Sequence, residues 1–392
     1  MTQTRPRVVH VTTTDISLEW LLGGQLEAFA AAGYEVIGVS APGPFVPALE
    51  RRGIRHVPLR HATRSVAPTE DARALAELVS VFRRLRPAIV HTHNPKPGVY
   101  GRLAARAARV PFIVNTVHGL YAQPTDPWAR RAAVYGLERV AARCSQAELV
   151  QNVEDVAVLR RLGVDAGKLH VLGNGIDLTR FDPARVAAGA RSRLRREWGV
   201  DEAAVVCGVV GRLVWEKGYR EILDAARMLR DVTPDLQFVI VGPNDDAKGN
   251  ALTAADVEEA ARIGNVRFVG EYDDIEECYA AFDMYALASY REGFPRSAME
   301  AAAMGLPIVA TNIRGCRQVV DHGSTGLLVE PHDARQLADA LQRLTENEGE
   351  RAGMALAARA KARAEFDHQR CIDLTLDVYE SRHGLVGTRV AA

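Results

Sequence analysis

The sequence has no long apolar run and no apolar segment behind its first residues, MTQTRPRVVHVTTTD. A bilayer-spanning helix needs about 20 apolar residues, and a secretory leader needs an apolar middle segment. The expectation is therefore a soluble, cytosolic chain. Cysteine is scarce: five residues, Cys144, Cys207, Cys278, Cys316 and Cys371, are scattered, odd in number and never spaced C-x-x-C. That pattern points to reduced thiols, with neither disulfides nor zinc. The first strand runs into TTTDISLEWLLGG and not into G-x-G-x-x-G, which argues against a dehydrogenase. Nor is there an internal repeat or a low-complexity linker.

What is present is enough chain for two domains. At 392 residues, 47% of them hydrophobic, the sequence exceeds the usual single-domain size and supplies two cores. A net charge of zero hides an asymmetry: residues 1–175 hold 22 Lys and Arg against 14 Asp and Glu, and residues 176–392 hold 27 against 35. A basic first half fits nucleic acid, anionic lipid or a phosphorylated acceptor, and equally a solvated surface.

Strands are expected at 7–12, 34–40, 89–92 and 111–116 in the first half, then at 205–210, 236–241, 266–269 and 284–288, with helical patterns between them. Repeated βα units mean α/β architecture with doubly wound parallel sheets. The turn-rich HVLGNGID, residues 170–177, marks the hinge, which divides the chain into 1–175, 176–365 and a tail of 366–392. The tail begins as a helix over 366–379, and the last dozen residues are expected to be disordered.

Two stretches carry chemistry. The first, EGFPRSAMEAAAMGLPIVAT, spans Glu292 to Thr311. Ser297 is placed to cap a helix starting at Ala298, Gly305 and Pro307 end it, and 308–310 form a buried strand. Glu300 has capping-box spacing from Ser297, so it is read either as a cap partner or as a ligand. Glu292 has no evident helical partner, and a carboxylate with backbone amides at a helix start suits a ligand with hydroxyls at one end and phosphate at the other. The second stretch is GRLVWEKG, residues 211–218. Its Arg212 and Lys217, between a strand and a helix, either clamp a diphosphate or form a salt-bridged loop.

Weaker signals surround these. Gly23 and Gly24 make a turn or let backbone approach a ligand, and His118 with Gly119 lies just past a strand, at the edge where α/β sheets bind ligands. His91 and His93 are read as facing opposite sides of a strand with no third histidine near, so no metal is assigned to them. Asp245–Asp246 and Asp273–Asp274 are read as loop and helix-start carboxylates. A helix from Pro127 sets Trp128, Val134, Tyr135 and Leu137 beside Arg130, Arg131, Arg139 and Arg143, as a membrane-surface helix or an ordinary amphipathic one.

With Glu292, seven residues, Glu300, Gly-Phe-Pro after the first acid, and the Gly-Arg-Leu and Lys-Gly block upstream, the sequence resembles the family 4 retaining glycosyltransferases. The resemblance covers nearly the whole chain. It implies the GT-B architecture, two Rossmann-like domains facing across a cleft, with the C-terminal helix crossing back to the first. It implies that Arg212 and Lys217 hold the donor diphosphate and balance its departing charge, with Gly23 and Gly24 giving close backbone approach. Glu300 would accept from ribose hydroxyls, Glu292 with the backbone at Phe294 and Pro295 would orient the sugar, and Val269 would present backbone to the nucleobase. His118 would touch the transferred sugar from the other domain as the cleft closes.

The implied reaction is retaining transfer by front-side attack, with no cofactor and no metal. The implied partners are a nucleotide-sugar donor, a UDP-sugar first, and a lipid-linked sugar at the inner membrane surface in bacterial polysaccharide synthesis, with no nucleic acid. The implied location is cytoplasmic or peripheral on that membrane. A nucleotide-sugar epimerase, a soluble small-molecule glycosyltransferase and a non-catalytic nucleotide-sugar sensor are the alternatives.

Overall fold

A computed structural model describes residues 5–63, 65, 67–93, 95–122, 126–244 and 250–383. Asp245, Asp246 and the end of the tail, 384–392, lie outside the described residues. The chain divides into two units, Met1–Gly173 with Gln369–Ala392, and Asn174–His368.

The first unit is built on seven strands: β1 (Arg7–Thr14), β2 (Glu35–Ala41), β3 (Arg55–Pro58), β4 (Ile89–His93), β5 (Phe112–Val117), β6 (Ala147–Val150) and β7 (Leu169–Val171). They form one parallel sheet in the order β3-β2-β1-β4-β5-β6-β7. The second unit repeats the plan with β8 (Val205–Val210), β9 (Leu236–Val241), β10 (Val266–Gly270), β11 (Met284–Leu287), β12 (Ile308–Thr311) and β13 (Gly326–Val329). Its order is β10-β9-β8-β11-β12-β13, again all parallel. In each sheet the strand order reverses direction beside its first strand, between β1 and β4 and between β8 and β11. Open α/β sheets bind ligands at such switch points, beyond the carboxyl ends of the strands.

The strands are apolar on both faces because both faces are covered. In the second unit Val206 and Tyr285 enter one core, and their neighbours Cys207 and Met284 enter the other. The first unit divides likewise, with Val8, Ile89 and Phe112 on one face and Val9, Val90 and Ile113 on the other. The returning helix His368–His383 completes the Val8 face with Ile372, Val378 and Tyr379. Full burial of a side chain such as Ile372 stabilises by about 1.5–3 kcal/mol, which anchors the tail to the first core.

Next to the point where the chain enters and leaves the second unit, its two segments pair. Ile176 bridges Asp367, with Ile176 N donating to Phe366 O at 2.9 Å and His368 N to Ile176 O at 3.1 Å. The contact leaves no room for a side chain at Gly175, where a Cβ would lie 2.4 Å from His368 Cα.

One expected helix start is corrected. The helix after the Glu292 loop is Arg296–Ala303, with Pro295 as its N-cap and no side-chain cap. Proline suits a helix start because its φ is fixed near the helical value and its missing N–H has no intrahelical acceptor there. Ser297 therefore lies inside the first turn and does not cap it. Gly305, at φ +76°, ends the helix as expected. Among the described residues no helix is long and apolar enough to cross a membrane.

Candidate active site

In the second unit both sequence motifs fall at the switch point. The 211–218 loop leaves β8 and the Glu292 loop leaves β11, so the sheet itself brings them together. Their backbones pack without side chains between them: Gly218, at φ +77°, has Ala288 O where a Cβ would sit, only 2.0 Å away. Tyr290 N donates to Glu216 O at 3.0 Å, and Lys217 Nζ donates to Glu292 Oε1 at 2.6 Å. The acid without an evident partner in the sequence is thus held by the motif lysine. Arg212, partly exposed, lies 3.8 Å from Glu216. Beside this loop Gly211 N donates to Val241 O at 3.0 Å, and Gly242 N donates to Gly270 O at 2.8 Å. A Cβ on Gly242 would meet Gly211 O at 2.1 Å. Three glycines therefore line the carboxyl ends of β8, β9 and β10, leaving bare backbone there, with the half-buried Val269 packed on the core beneath.

Glu300 points inward from the Arg296–Ala303 helix. Its Oε2 lies 3.0 Å from the Tyr279 hydroxyl, and its Oε1 lies 3.9 Å from Arg296 Nε. The capping box is not formed, since Pro295 occupies the cap position and Glu300 bonds Tyr279 instead. Burial pushes the Glu300 carboxyl up, against the opposing pull of Arg296 and Tyr279. Pro295 has no amide hydrogen of its own, and its carbonyl accepts from Met299 N at 3.2 Å. The Phe294 ring packs edge-on to Phe366, and its carbonyl accepts from Asn174 Nδ2 at 3.2 Å. Two buried tyrosines brace the end of β8, Tyr219 donating to Gly211 O at 3.0 Å and Tyr285 to Val210 O at 3.2 Å. No motif announces Tyr219, Tyr279 or Tyr285; they read in sequence as core aromatics.

In the first unit Gly23 and Gly24 open the helix Gly23–Ala31, which follows a single π-type turn at Ser17–Leu21. Gly23 faces the Arg52 side chain, and Gly24 faces open space. His118, half-buried, stands one residue past β5 with Gly119 at φ +116° behind it. The reading of the strand histidines is corrected. Residues two apart share a face of a strand, and the His91 and His93 rings stack at 4.2 Å. A third histidine is present too: His10 lies opposite His91 in the β1–β4 register, with its Nδ1 3.0 Å from His93 Nε2. His93 Nδ1 is in turn 3.1 Å from His118 Nε2. Burial lowers the pKa of all four, His10 to about 3 and His118 to about 4, so the cluster is neutral at pH 7.

Comparison with known proteins agrees with this geometry. The family profile described as "Glycosyltransferase Family 4" matches residues 22–180, and "Glycosyl transferases group 1" matches residues 190–361. The chain is 31% identical over 290 residues to the UDP-Gal:alpha-D-GlcNAc-diphosphoundecaprenol alpha-1,3-galactosyltransferase of Escherichia coli, covering 72% of this chain and 73% of that one. It is also 31% identical to the D-inositol 3-phosphate glycosyltransferase of Rhodococcus jostii (strain RHA1), covering 87% of this chain and 76% of that one. The crystal structure of a glycosyltransferase from Rickettsia africae ESF-5 superimposes with a TM-score of 0.79 at 20% identity, over 97% of this chain and 99% of that one, and shares the GT-B fold. With both sheets, both motif loops and relatives of this extent in agreement, the chain belongs to glycosyltransferase family 4, the retaining enzymes of GT-B fold.

Proposed function

We propose that this retaining glycosyltransferase moves a sugar from a UDP-sugar to a hydroxyl of a lipid-linked sugar diphosphate. The observation that carries the donor half is the Lys217–Glu292 pair at the switch point of the second sheet, beside bare glycine backbone. A diphosphate entering there meets Lys217 and Arg212, and the pyrophosphate draws Lys217 away from Glu292. Glu292 is then released to bond sugar hydroxyls, while Glu300 accepts from the ribose. His118 contacts the transferred sugar.

In the step itself the bond from the anomeric carbon to the phosphate oxygen breaks, and the acceptor oxygen bonds to that carbon on the same face. The acceptor's proton passes to the departing phosphate oxygen. Lys217 and Arg212 stabilise the charge that develops on that oxygen, which needs no nucleophile from the protein and, in this reading, no metal.

The acceptor half is supported by the first-named relative, whose acceptor is a diphosphoundecaprenol-linked sugar, and by the helix Trp128–Ala142. Trp128 is 78% exposed and Leu137 56%, with Arg130, Arg139 and Arg143 in solvent around them. Exposed apolar and basic side chains on one helix suit an anionic lipid surface, where the enzyme would be peripheral on the cytoplasmic side. The test is transfer from a panel of nucleotide sugars to a polyprenyl-diphosphate sugar in mixed micelles, with inositol phosphate as the soluble competitor. Transfer to the lipid carrier alone supports the reading. Transfer to inositol phosphate alone overturns its acceptor half, and turnover of the donor without any acceptor would make the enzyme an epimerase or hydrolase.

A further inference from the structure

Four histidines of the first unit are in contact at the carboxyl end of its sheet, and the proposed reaction uses only the outermost. The polar groups of the cluster form an ordered series. His91 has the Tyr379 hydroxyl 2.5 Å from Nδ1 and the Thr116 hydroxyl 2.7 Å from Nε2, so both its nitrogens are engaged and it stands beside the series. The series itself runs from His10 Nδ1 to His93 Nε2 at 3.0 Å and from His93 Nδ1 to His118 Nε2 at 3.1 Å. Gln151 also bonds the His118 side chain, which raises its pKa against the larger, lowering effect of burial. The inner end is closed: His10 Nε2 is buried and has no hydrogen-bond partner among the described residues.

A neutral imidazole has one N–H and one lone pair, so fixing either end of such a series fixes every member. A buried N–H without an acceptor is rarer in folded proteins than an unused lone pair. His10 therefore keeps the lone pair on Nε2 and donates from Nδ1 to His93 Nε2. His93 must then donate from Nδ1 to His118 Nε2, which leaves the His118 hydrogen on Nδ1. Strand periodicity makes the arrangement possible, since His10, His91 and His93 share a face and His118 follows the end of β5.

We infer that His93 is a positioning residue of the transfer reaction, fixing through its Nδ1–H the ring orientation and tautomer with which His118 meets the sugar; this rests on the reading that His118 works there. A shared metal ion fits the same atoms less well. The nitrogens of His10, His91 and His93 come within 4.8 Å of one another, but an ion needs three free lone pairs converging at about 2.0–2.1 Å. Those of His91 are occupied by hydroxyls, and His10 and His93 bond each other.

The experiment uses two substitutions in the full chain. In His93→Asn the amide nitrogen falls where Nδ1 stood and keeps the donor to His118; in His93→Gln the amide reaches the Nε2 position and loses it. Asparagine is expected to hold kcat within about threefold of wild type, and glutamine to lower kcat about tenfold with the donor KM unchanged. Equal loss in both, or no loss in either, overturns the inference. Ring NMR of isotope-labelled histidine in the wild-type protein decides independently of those variants. The His118 hydrogen on Nδ1 supports the series, and a hydrogen on Nε2, or stoichiometric zinc in the purified protein, overturns it. If His118→Ala leaves kcat unchanged, the role of His118 at the sugar fails, while the ring spectrum still judges the hydrogen-bond series.

Discussion

Lys217 Nζ and Glu292 Oε1 are 2.6 Å apart although 75 residues separate them in the chain. A lysine held by a carboxylate is already positioned, and in the proposed reaction it exchanges that anionic partner for the donor diphosphate. Lys217→Ala is expected to lower turnover at least about a hundredfold, the scale of losing one preorganised charge stabiliser. Its melting temperature should stay close to wild type, because a partly exposed ion pair contributes little to stability. Near-normal turnover in this variant, measured beside its melting curve, would remove the central assignment.

Two glycines separate folding from function. Gly218→Ala forces a side chain into Ala288 O at a left-handed φ and is expected to destabilise by about 2 kcal/mol or more, read as a lower urea midpoint. Gly24→Ala meets open space near the start of a helix and should leave that midpoint unchanged, or raise it through up to about 1 kcal/mol of added stability. Weaker UDP-sugar binding by a stable Gly24→Ala protein would support close backbone approach at that position. Unchanged binding would make the glycine a plain helix start.

The neutral histidine cluster makes stability depend on pH in one direction. The folded-state pKa values lie below the unfolded value near 6.5, so between pH 6.5 and about 4 the unfolded chain binds more protons than the folded one. Stability is therefore full above pH 6.5 and falls as the pH drops below it, by up to about 1.4 kcal/mol per pH unit for each buried histidine. Urea titrations at pH 7.5 and 5.5 should show this loss, with a smaller one in His10→Phe. A flat profile would mean that the rings take up protons in the folded protein as readily as in the unfolded chain.

Metal independence is tested by chelation. Transfer is expected to survive excess EDTA without loss. Inhibition reversed by magnesium would move the diphosphate's counter-charge from Arg212 and Lys217 to an ion.

The exposed Trp128 gives the membrane reading a direct check. Trp128→Glu should reduce sedimentation with anionic vesicles several-fold while leaving transfer to a detergent-solubilised acceptor unchanged. Equal sedimentation of both proteins would reassign that helix to an ordinary solvent-facing role.

The sheets were legible because parallel strands covered on both faces announce themselves as short apolar runs, and both motif loops read as strand-to-helix connections; that they meet where the strand order reverses comes from the sheet topology. Arg55–Pro58 and the helix Glu348–Glu365 were not read. A four-residue edge strand carries too little pattern, and the alanine-rich helix has only a narrow buried stripe of Met354, Ala358 and Ala362. The Ser297 cap failed because its spacing to Glu300 fits two helix starts, and Pro295 fixes the earlier one. The histidine cluster was missed because the faces of a single strand were misassigned. His10 also lies 81 residues before His91, so only the register of β1 against β4 reveals that they are neighbours. Likewise Tyr279, which bonds Glu300, carries no local signal, since its importance comes from a helix packed across the motif.

The bridge between Ile176 and Asp367 makes the two ends of the second unit neighbours. A segment whose ends meet behaves as a cassette: residues 174–368 interrupt the first unit at a single doorway, and the tail resumes the first core as soon as they are passed. Recombination at that doorway would exchange residues 174–368 as one block for those of a relative, while the seven-stranded sheet and its returning helix keep their own sequence.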